Sequence, residues 1–328
     1  MGSRYIDDGS ACGISVWQNT ANVGAQPVDT NSSAANSTLM DFKRRYLFHG
    51  HASAIGGRIV RHKNKPIDLV IETAADSALT PVGGRSRARV PGKNFEGLVS
   101  FGRAETFAEG LFENLRQVIA ASHGRIPEDS LVAITRVGAD IHDVAVGISP
   151  QLTVKRLRAT LHSRSPYASG QPSIQPIEAR KQTVIEGVFV DDHELLVELN
   201  TPIFRQYDTH AKLLTAADDP RFVTRHGHHL FMRSGVDKRQ TPSSGRLVTS
   251  HQIIHGTIVS KLRWRAKPFP GAHIDHNSVK IPRFGRIFFG ELLIAEASRR
   301  LTMMRVSLGS PIGGQVAVAA ADPNGGWS

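Results

Sequence analysis

The part of the sequence that decides the fold lies near its C-terminal end, where residues 284–290 read FGRIFFG and residues 301–308 read LTMMRVSL. Along residues 301–308, alternate positions form two interleaved faces. A break follows at residues 309–314, GSPIGG, and residues 315–319, QVAVA, resume the alternation. A period of two that is bounded by Gly and Pro is typical of antiparallel β-strands. We therefore predict antiparallel sheets for this region.

Strand-like patterns recur along the rest of the chain. Residues 183–190 and 194–200 flank a short polar segment and predict a hairpin, because apolar and polar side chains alternate along the first of them. A second hairpin is predicted for residues 131–137 and 141–148, joined across residues 138–140. The expected fold class is therefore mainly β, with antiparallel β-sandwich-like sheets.

One helix is expected among these strands, over residues 104–123. Phe107, Leu111 and Leu115 recur at the spacing of a helix face, and acidic residues occupy the early turns. Gly124 stands where a C-terminal capping glycine belongs. We predict one clear amphipathic helix here.

The chain divides by composition into four segments. Residues 1–40 are predicted to form a flexible polar arm, because residues 18–40 bury too little apolar surface to offset the entropy lost on ordering. Residues 41–162 are predicted to form a β-rich domain that contains the helix. Ser, Pro and Gly clusters mark residues 163–182 as a linker or long loop. Residues 183–328 are predicted to be a second β-rich domain, either separate from the first or packed with it as one unit.

Length and composition limit the classes of protein to consider. The 328 residues suffice for one large domain or two ordinary ones. No apolar run approaches the roughly 20 residues that a transmembrane helix needs, and the N-terminus lacks the basic and apolar pattern of a signal peptide. The single Cys12 excludes an internal disulfide framework. These features predict a cytoplasmic protein with no membrane span.

Charge is distributed unevenly along the chain, whose formal net charge is +11. Residues 221–305 hold 16 Lys and Arg against 4 Asp and Glu, whereas residues 186–219 hold 8 acidic against 2 basic residues. Arginine offers a planar fork for carboxylates and phosphates and is enriched at interfaces. Segments of opposite charge predict contact with a second copy of the chain or, for the basic segment, with nucleic acid or another anionic partner; solvated strand positions are the alternative. The arginines considered for such contacts are Arg263, Arg265, Arg283, Arg286, Arg299 and Arg300.

The histidines are the candidate metal ligands. The densest group, His226, His228 and His229, would hold zinc or another transition metal together with a distant ligand, since neutral imidazole is a common ligand for such ions. No HExxH motif is present, and histidines that are hydrogen-bonded locally in loops are the alternative. His49 and His51 are expected on one side of the chain if that segment is extended.

Catalytic motifs of high specificity are absent from the sequence, which contains no G-x-S-x-G nucleophile elbow, no P-loop and no G-x-G-x-x-G after a strand. The leading hypothesis is a non-enzymatic β-rich structural or interaction protein that self-associates through complementary acidic and basic segments. Two alternatives remain open. One is a His-metal-dependent enzyme or metal-binding protein, and the other is a protein that binds nucleic acid through residues 221–305.

Overall fold

The computed structural model describes most of the chain from residue 45 onward. The described ranges are residues 45–61, 67–113, 115, 131–167, 173–175, 183–226, 230–234, 253–295, 298–309 and 312–327. The polar arm predicted for residues 1–40 lies outside them. No helix in these ranges combines the length and the apolar character that crossing a membrane requires.

Nearly all regular structure in these ranges is β-strand. In chain order the strands are β1 (Tyr46–Arg61), β2 (Ile67–Ala78), β3 (Gly84–Phe95), β4 (Val99–Phe112), β5 (Val132–Val146), β6 (Leu152–Pro166), β7 (Ser173–Gln175), β8 (Val184–Val190), β9 (His193–Leu199), β10 (Leu230–Ser234), β11 (Ile253–Thr257), β12 (Val259–Trp264), β13 (His273–Asp275), β14 (Ser278–Ile281), β15 (Gly285–Ile294), β16 (Arg299–Leu308) and β17 (Ile312–Trp327).

Three short helices follow β9, namely α1 (Ile203–Gln206), α2 (His210–Ala217) and α3 (Pro220–His226). Thr209 caps the start of α2, because its side chain accepts a hydrogen bond from the Lys212 amide. Leu213 and Ala216 of α2 are buried and join the apolar core.

The strands form two antiparallel sheets. One has nine strands, in which the order β10-β11-β15-β16-β17-β1-β2 is extended by the β13–β14 hairpin through pairing of β14 with β15. The other has eight strands, in the order β12-β9-β8-β6-β5-β4-β3, with β7 beside β6. β1 and β17 face β5 and β6 across the core, so the two sheets form a sandwich. The mainly β fold and its antiparallel, sandwich-like sheets are confirmed.

Alternate side chains of both sheets point inward and fill the core between them. Ile141 and Leu157 of the eight-stranded sheet and Val306 and Val318 of the nine-stranded sheet are fully buried. Burial of one such side chain stabilises a protein by about 1.5–3 kcal/mol. The opposite sides of the strands carry most of the polar and charged residues.

Two local predictions agree with the structure. β15, β16 and β17 pair in succession as antiparallel strands, as the alternation near the C-terminal end predicts. β8 and β9 form the predicted hairpin, in which Val190 pairs with His193 across a turn of Asp191 and Asp192. The backbone φ of Asp191 is 48°, a left-handed value that Asp tolerates better than most residues.

The helix predicted over residues 104–123 is wrong where the structure describes it, because residues 104–112 belong to β4. The larger apolar side chains, Phe107 and Leu111, lie on the outward side and are only half-buried. The inward positions are occupied by small residues, namely Ala104, Thr106, Ala108 and Gly110. The large apolar residues are spaced as on a helix face, whereas the small residues recur at every second position, as on the buried side of a strand. Residues 116–123 lie outside the described ranges.

The hairpin predicted across residues 138–140 is also wrong, because β5 runs through these residues without a turn. Gly138 serves packing rather than chain reversal. The ring of Phe107 on the neighbouring strand occupies the space that a side chain at position 138 would need. Glycine at this position lets the aromatic ring lie along the sheet.

Each sheet contains strands from both sides of residues 163–182. β1 pairs with β17 in the nine-stranded sheet, and β6 pairs with β8 in the eight-stranded sheet. The segment predicted as a linker overlaps the end of β6 and includes β7, while residues 168–172 and 176–182 lie outside the described ranges. Hydrogen-bonded strands therefore connect the two predicted β-rich segments, residues 41–162 and 183–328.

β1 and β17 pair over fifteen residue pairs near the middle of the nine-stranded sheet. Two Gly-Gly segments, residues 56–57 and 313–314, lie close together in this pairing. A Cβ at Gly57 would overlap the carbonyl oxygen of Gln315, and a Cβ at Gly314 would overlap the backbone of β1. The two backbones thus approach more closely than residues with side chains permit.

Replacing Gly57 by Ala should lower the free energy of unfolding by about 1–3 kcal/mol, the usual cost of forcing an additional carbon into a packed site. Urea-induced unfolding followed by circular dichroism measures the change. Gly326→Ala is the matched control in β17, because no atom lies within 4 Å of the added Cβ. The control should stay within about 0.5 kcal/mol of the original protein. Equal stability of the two variants would contradict the close approach of β1 and β17.

Candidate functional site

The outer face of the eight-stranded sheet carries charged side chains on five neighbouring strands. Strand pairing brings these side chains into rows that cross the sheet. We call this surface the charged face. Its members are Arg85, Arg87 and Arg89 of β3; Arg103, Glu105 and Glu109 of β4; Arg136, Asp140 and His142 of β5; Arg156 and Arg158 of β6; and Glu186 of β8.

Arginines bind both glutamates of β4. Glu109 accepts a hydrogen bond from Arg85 Nε at 2.7 Å and lies 3.7 Å from Arg136 Nη1. Glu105 accepts a hydrogen bond from Arg89 Nη2 at 3.1 Å. Exposed pairs of this kind contribute at most about 1 kcal/mol to stability. Their main effect is to fix where the charges lie.

The carboxylate of Asp140 on β5 is bound by an arginine of β6. It accepts two hydrogen bonds from Arg156, at 3.0 and 2.7 Å, and this pairing raises the pKa of Arg156. Arg158 Nε lies 3.7 Å from the same carboxylate, and His142 Nε2 lies 3.2 Å from it. The negative charge of Asp140 is therefore already neutralised within the sheet.

Arg87 differs from these arginines, because it forms no ion pair with any residue that the structure describes. It lies directly opposite Phe107, which in turn lies opposite Gly138. A cleft of about 290 Å³ opens above this row and is lined by Arg87, Phe107 and Arg158, with ion-paired rows on both sides. An aromatic surface and an available guanidinium thus lie next to each other on the charged face.

The outer face of the nine-stranded sheet carries a second polar cluster. His49 and His51 both lie on the outward side of β1, as expected for an extended segment. Nε2 of His51 lies 2.6 Å from Oδ1 of Asp76 on β2. Asp322 of β17 pairs with His51 in register, so His51 lies between two carboxylates.

Two pKa values in this cluster are displaced. The hydrogen bond with Asp76 raises the pKa of His51. Burial raises the pKa of Asp322, although the charge of Arg300 acts in the opposite direction. Asn324 also donates a hydrogen bond to the Asp322 carboxylate. The cluster is therefore a place where proton binding and folding are coupled.

Polar side chains also join the two sheets at one end of the core. Arg299 of β16 is fully buried, and its Nη1 donates a hydrogen bond to Ser163 Oγ of β6 at 3.1 Å. Burial lowers the pKa of Arg299 to about 10. Tyr46 of β1 donates to Ser165 Oγ at 3.2 Å, and burial raises the pKa of Tyr46. These groups lie inside the sandwich and are not exposed to a partner.

Two arginines that the sequence singles out lie at the β12 edge of the eight-stranded sheet. Arg263 donates to Glu198 at 3.1 Å, and Arg265 donates to Glu194 at 2.7 Å. Both glutamates belong to residues 186–219. Part of the complementary charge noted in the sequence is thus paired within one chain.

The other four candidate arginines are spread over the nine-stranded sheet. Arg286 on β15 lies 3.4 Å from Asp275, and Arg283 occupies a left-handed position with φ of 65° between β14 and β15. Arg300 is exposed on β16. Its neighbour Arg299 points into the core and is fully buried, so contact of this side chain with a partner has no support in the fold. The six arginines do not form one surface.

The predicted metal ligands lie at the end of the helical segment. His226 is the last residue of α3, and its ring centroid lies 5.2 Å from that of Phe222. His228 and His229 lie outside the described residues, so zinc at this group stays a prediction. Within the described ranges, no three His, Cys, Asp or Glu side chains are arranged to hold a metal ion.

The charged face is not among the surfaces predicted from the sequence, although one pattern in the sequence points to it. Residues 84–90 read GRSRARV, with arginine at every second position. That pattern places the three arginines on one side of a strand. Their partners on β4 and the position of Phe107 over Gly138 depend on register and could not be read from this segment alone.

Comparison with known proteins identifies the family. Residues 46–295 match the model of a family described as a domain of unknown function (DUF8256), so the chain belongs to this family. The match begins with β1 and ends just after β15, before β16 and β17. A search of curated proteins gives no match.

Replacing Asp76 by Asn should destabilise the protein more at pH 6 than at pH 9. Because Asp76 raises the pKa of His51, protonation of His51 stabilises the folded state fully below its unfolded pKa of about 6.5. This contribution is lost as the pH rises through the higher pKa of the folded state. Both side chains are about half-exposed, so the difference should remain below about 1 kcal/mol.

Asp68→Asn is the matched control on β2. Asp68 pairs with Arg58 at 2.6 Å, and arginine does not titrate between pH 6 and pH 9. The control should therefore have the same effect at both pH values, while Asp322 and Arg300, which also face His51, are unchanged in both variants. Urea unfolding at each pH measures the effects. A pH-independent effect of Asp76→Asn would show that His51 binds no stabilising proton.

Proposed function

We propose that the protein is a non-enzymatic structural or interaction protein that self-associates through the charged face. The order of charge across that face supports the proposal. β3 carries only arginines among its outward charges, β4 carries Glu105 and Glu109 beside Arg103, β6 carries Arg156 and Arg158, and β8 carries Glu186. β5, in the centre, carries both signs. From the edge inward, the net charges of these side chains are positive on β3, negative on β4, close to zero on β5, positive on β6 and negative on β8.

A two-fold axis parallel to β5 would set an acidic position of one row on this face against a basic position of the second copy. Rotation about such an axis sets β4 of one copy against β6 of the other, and β3 against β8. Glu105 and Arg158 lie in the same cross-strand row. Glu105 of each copy would therefore lie against Arg158 of the other. The next row brings Arg103 against Arg156, whose charge Asp140 already neutralises. Contacts of this symmetric kind close as a dimer.

The edges of the eight-stranded sheet favour association through its face. β3 forms one edge and exposes Arg85, Arg87 and Arg89, while β12 forms the other and exposes Lys261 and Arg263. Rows of like charge at an edge strand oppose the addition of an identical strand. Two copies would therefore meet more readily face to face than edge to edge.

Charge reversal tests the proposed contact. Glu105→Arg or Arg158→Glu alone should weaken self-association by more than about tenfold, because each sets like charges opposite each other. The double variant should restore association, since the reversed charges again match. Sedimentation or light scattering measures the mass, and added salt should reduce it because exposed charges beyond about 8–10 Å are screened.

Arg58→Glu provides the control, because it reverses an exposed charge on the other sheet and should leave association unchanged. Circular dichroism establishes that each variant is folded. A protein that remains monomeric at every salt concentration would refute the proposal, as would a double variant that associates no better than the single ones.

Nucleic-acid binding is the alternative that one further observation supports. The β12 edge and the loop after it combine basic and aromatic side chains, an arrangement used by proteins that bind single strands. The residues concerned are Lys261, Arg263, Trp264, Arg265, Lys267 and Phe269.

Light scattering of nuclease-treated protein separates this alternative from self-association. If nucleic acid is the partner, the protein should gain mass only when DNA or RNA is added, and the gain should fall steeply with salt. Nucleic acid should also purify with the untreated protein and absorb near 260 nm. Salt-sensitive oligomers without nucleic acid would support self-association instead.

A further inference from the structure

We infer that the cleft above Phe107 binds a small aromatic carboxylate, and that this ligand competes with a second copy of the chain for the charged face. The first part rests on the cleft itself. The second part rests on the proposed function, because it requires that the charged face is where two copies meet.

The charge around the cleft selects an anion. Six arginines surround three carboxylates, which leaves a surplus of three positive charges. Each carboxylate already has an arginine within hydrogen-bonding distance, so the negative groups are neutralised and do not repel an anionic ligand. The residues counted are Arg85, Arg87, Arg89, Arg136, Arg156, Arg158, Glu105, Glu109 and Asp140.

Arg87 supplies the group that would bind the carboxylate. Its guanidinium is exposed and forms no ion pair with any described residue, whereas its neighbours on β3, Arg85 and Arg89, are bound to glutamates. A guanidinium matches a carboxylate with two parallel hydrogen bonds. Arg158 lines the same cleft and adds to the positive field.

Phe107 supplies the surface for the ring of the ligand. Its own ring takes the space above Gly138, so it lies along the sheet and not away from it. Aromatic rings attract each other in offset or edge-on arrangements, with a gain of about 0.5–1.5 kcal/mol beyond burial. The cleft of about 290 Å³ is near the lower limit of ligand sites, which favours a ligand with a single ring.

A ligand in this cleft would cover part of the surface that the second copy is proposed to contact. Glu105 and Arg158, which form the proposed contact between copies, both line the cleft. A bound carboxylate would also reduce the positive charge of the face. Ligand binding and self-association should therefore exclude each other.

Benzoate is the probe for the binding site. In a titration followed by NMR of the ¹⁵N-labelled protein, the amide signals of Phe107 and Gly138 should shift and saturate. Cyclohexanecarboxylate, which has the same charge without a flat ring, should bind more weakly, and acetate more weakly still. Equal binding of acetate and benzoate would overturn the assignment to an aromatic ligand.

Two variants and a matched control separate the cleft from general charge. Arg87→Gln should weaken benzoate binding by about tenfold, the effect of losing a charge-assisted hydrogen-bonded pair. Arg58→Gln removes the same charge from the opposite sheet and should leave binding nearly unchanged. Phe107→Leu keeps the charge and should abolish the preference for benzoate over cyclohexanecarboxylate. Unchanged binding in Arg87→Gln, an exposed substitution that should not affect folding, would overturn the site.

Competition is measured by sedimentation at constant ionic strength. Replacing chloride by benzoate should shift the protein from dimer to monomer, whereas acetate should not. Persistence of the dimer at saturating benzoate would refute the competition. A protein that binds benzoate but is monomeric under all conditions would retain the binding site and refute self-association, so the two proposals can fail separately.

Discussion

The pairing of β1 with β17 is the contact on which the sandwich depends. It joins the first and last strands of the described chain over fifteen residue pairs, near the middle of the nine-stranded sheet. Without it, β1 and β2 would be separated from the rest of that sheet. The inner sides of β1 and β17 cover β5 and β6, whose outer sides carry the charged face. The two strands that approach closely at Gly57 and Gly314 therefore pack, through the core, against strands that carry the charged face.

A second constraint is the set of polar contacts between the sheets. Arg299 bonds to Ser163 across the core, and the hydroxyl oxygens of Ser77 and Thr106 lie 2.8 Å apart. Such bonds add only about 1 kcal/mol each to stability, and burial of a guanidinium is unfavourable in itself, as the lowered pKa of Arg299 shows. Unlike apolar contacts, however, they are directional. They favour one alignment of the two sheets over others that would bury a similar apolar area.

The strand period was readable from the sequence wherever large apolar residues carry it. The alternation in residues 301–308 and in β8 predicted strands that the structure contains. In β4, small residues face the core and Phe107 faces outward, so the visible apolar spacing favoured a helix. Gly138 resembles a turn residue for a related reason, since its role depends on a ring from another strand.

The candidate site was less predictable than the fold because it is assembled across strands. Arg87, Phe107 and Gly138 are neighbours through the register of β3, β4 and β5, and no local pattern specifies that register. Composition also cannot distinguish Arg299 from Arg300. Adjacent positions of a strand point to opposite sides, so Arg300 is exposed whereas Arg299 is buried. The described basic residues of segment 221–305 therefore do not lie on one surface.

The position of β17 has a consequence for how the protein is made. During synthesis β1 leaves the ribosome long before β17. β2 can pair with one edge of β1 soon after it emerges, but the other edge has no partner until β17 is complete. Contacts this distant in sequence form slowly and leave strand edges open to wrong partners in the meantime. The family match ends at residue 295, yet β16 and β17 fill the space between β15 and β1. The nine-stranded sheet thus extends beyond the matched segment, because β16 and β17 connect β1 to β15.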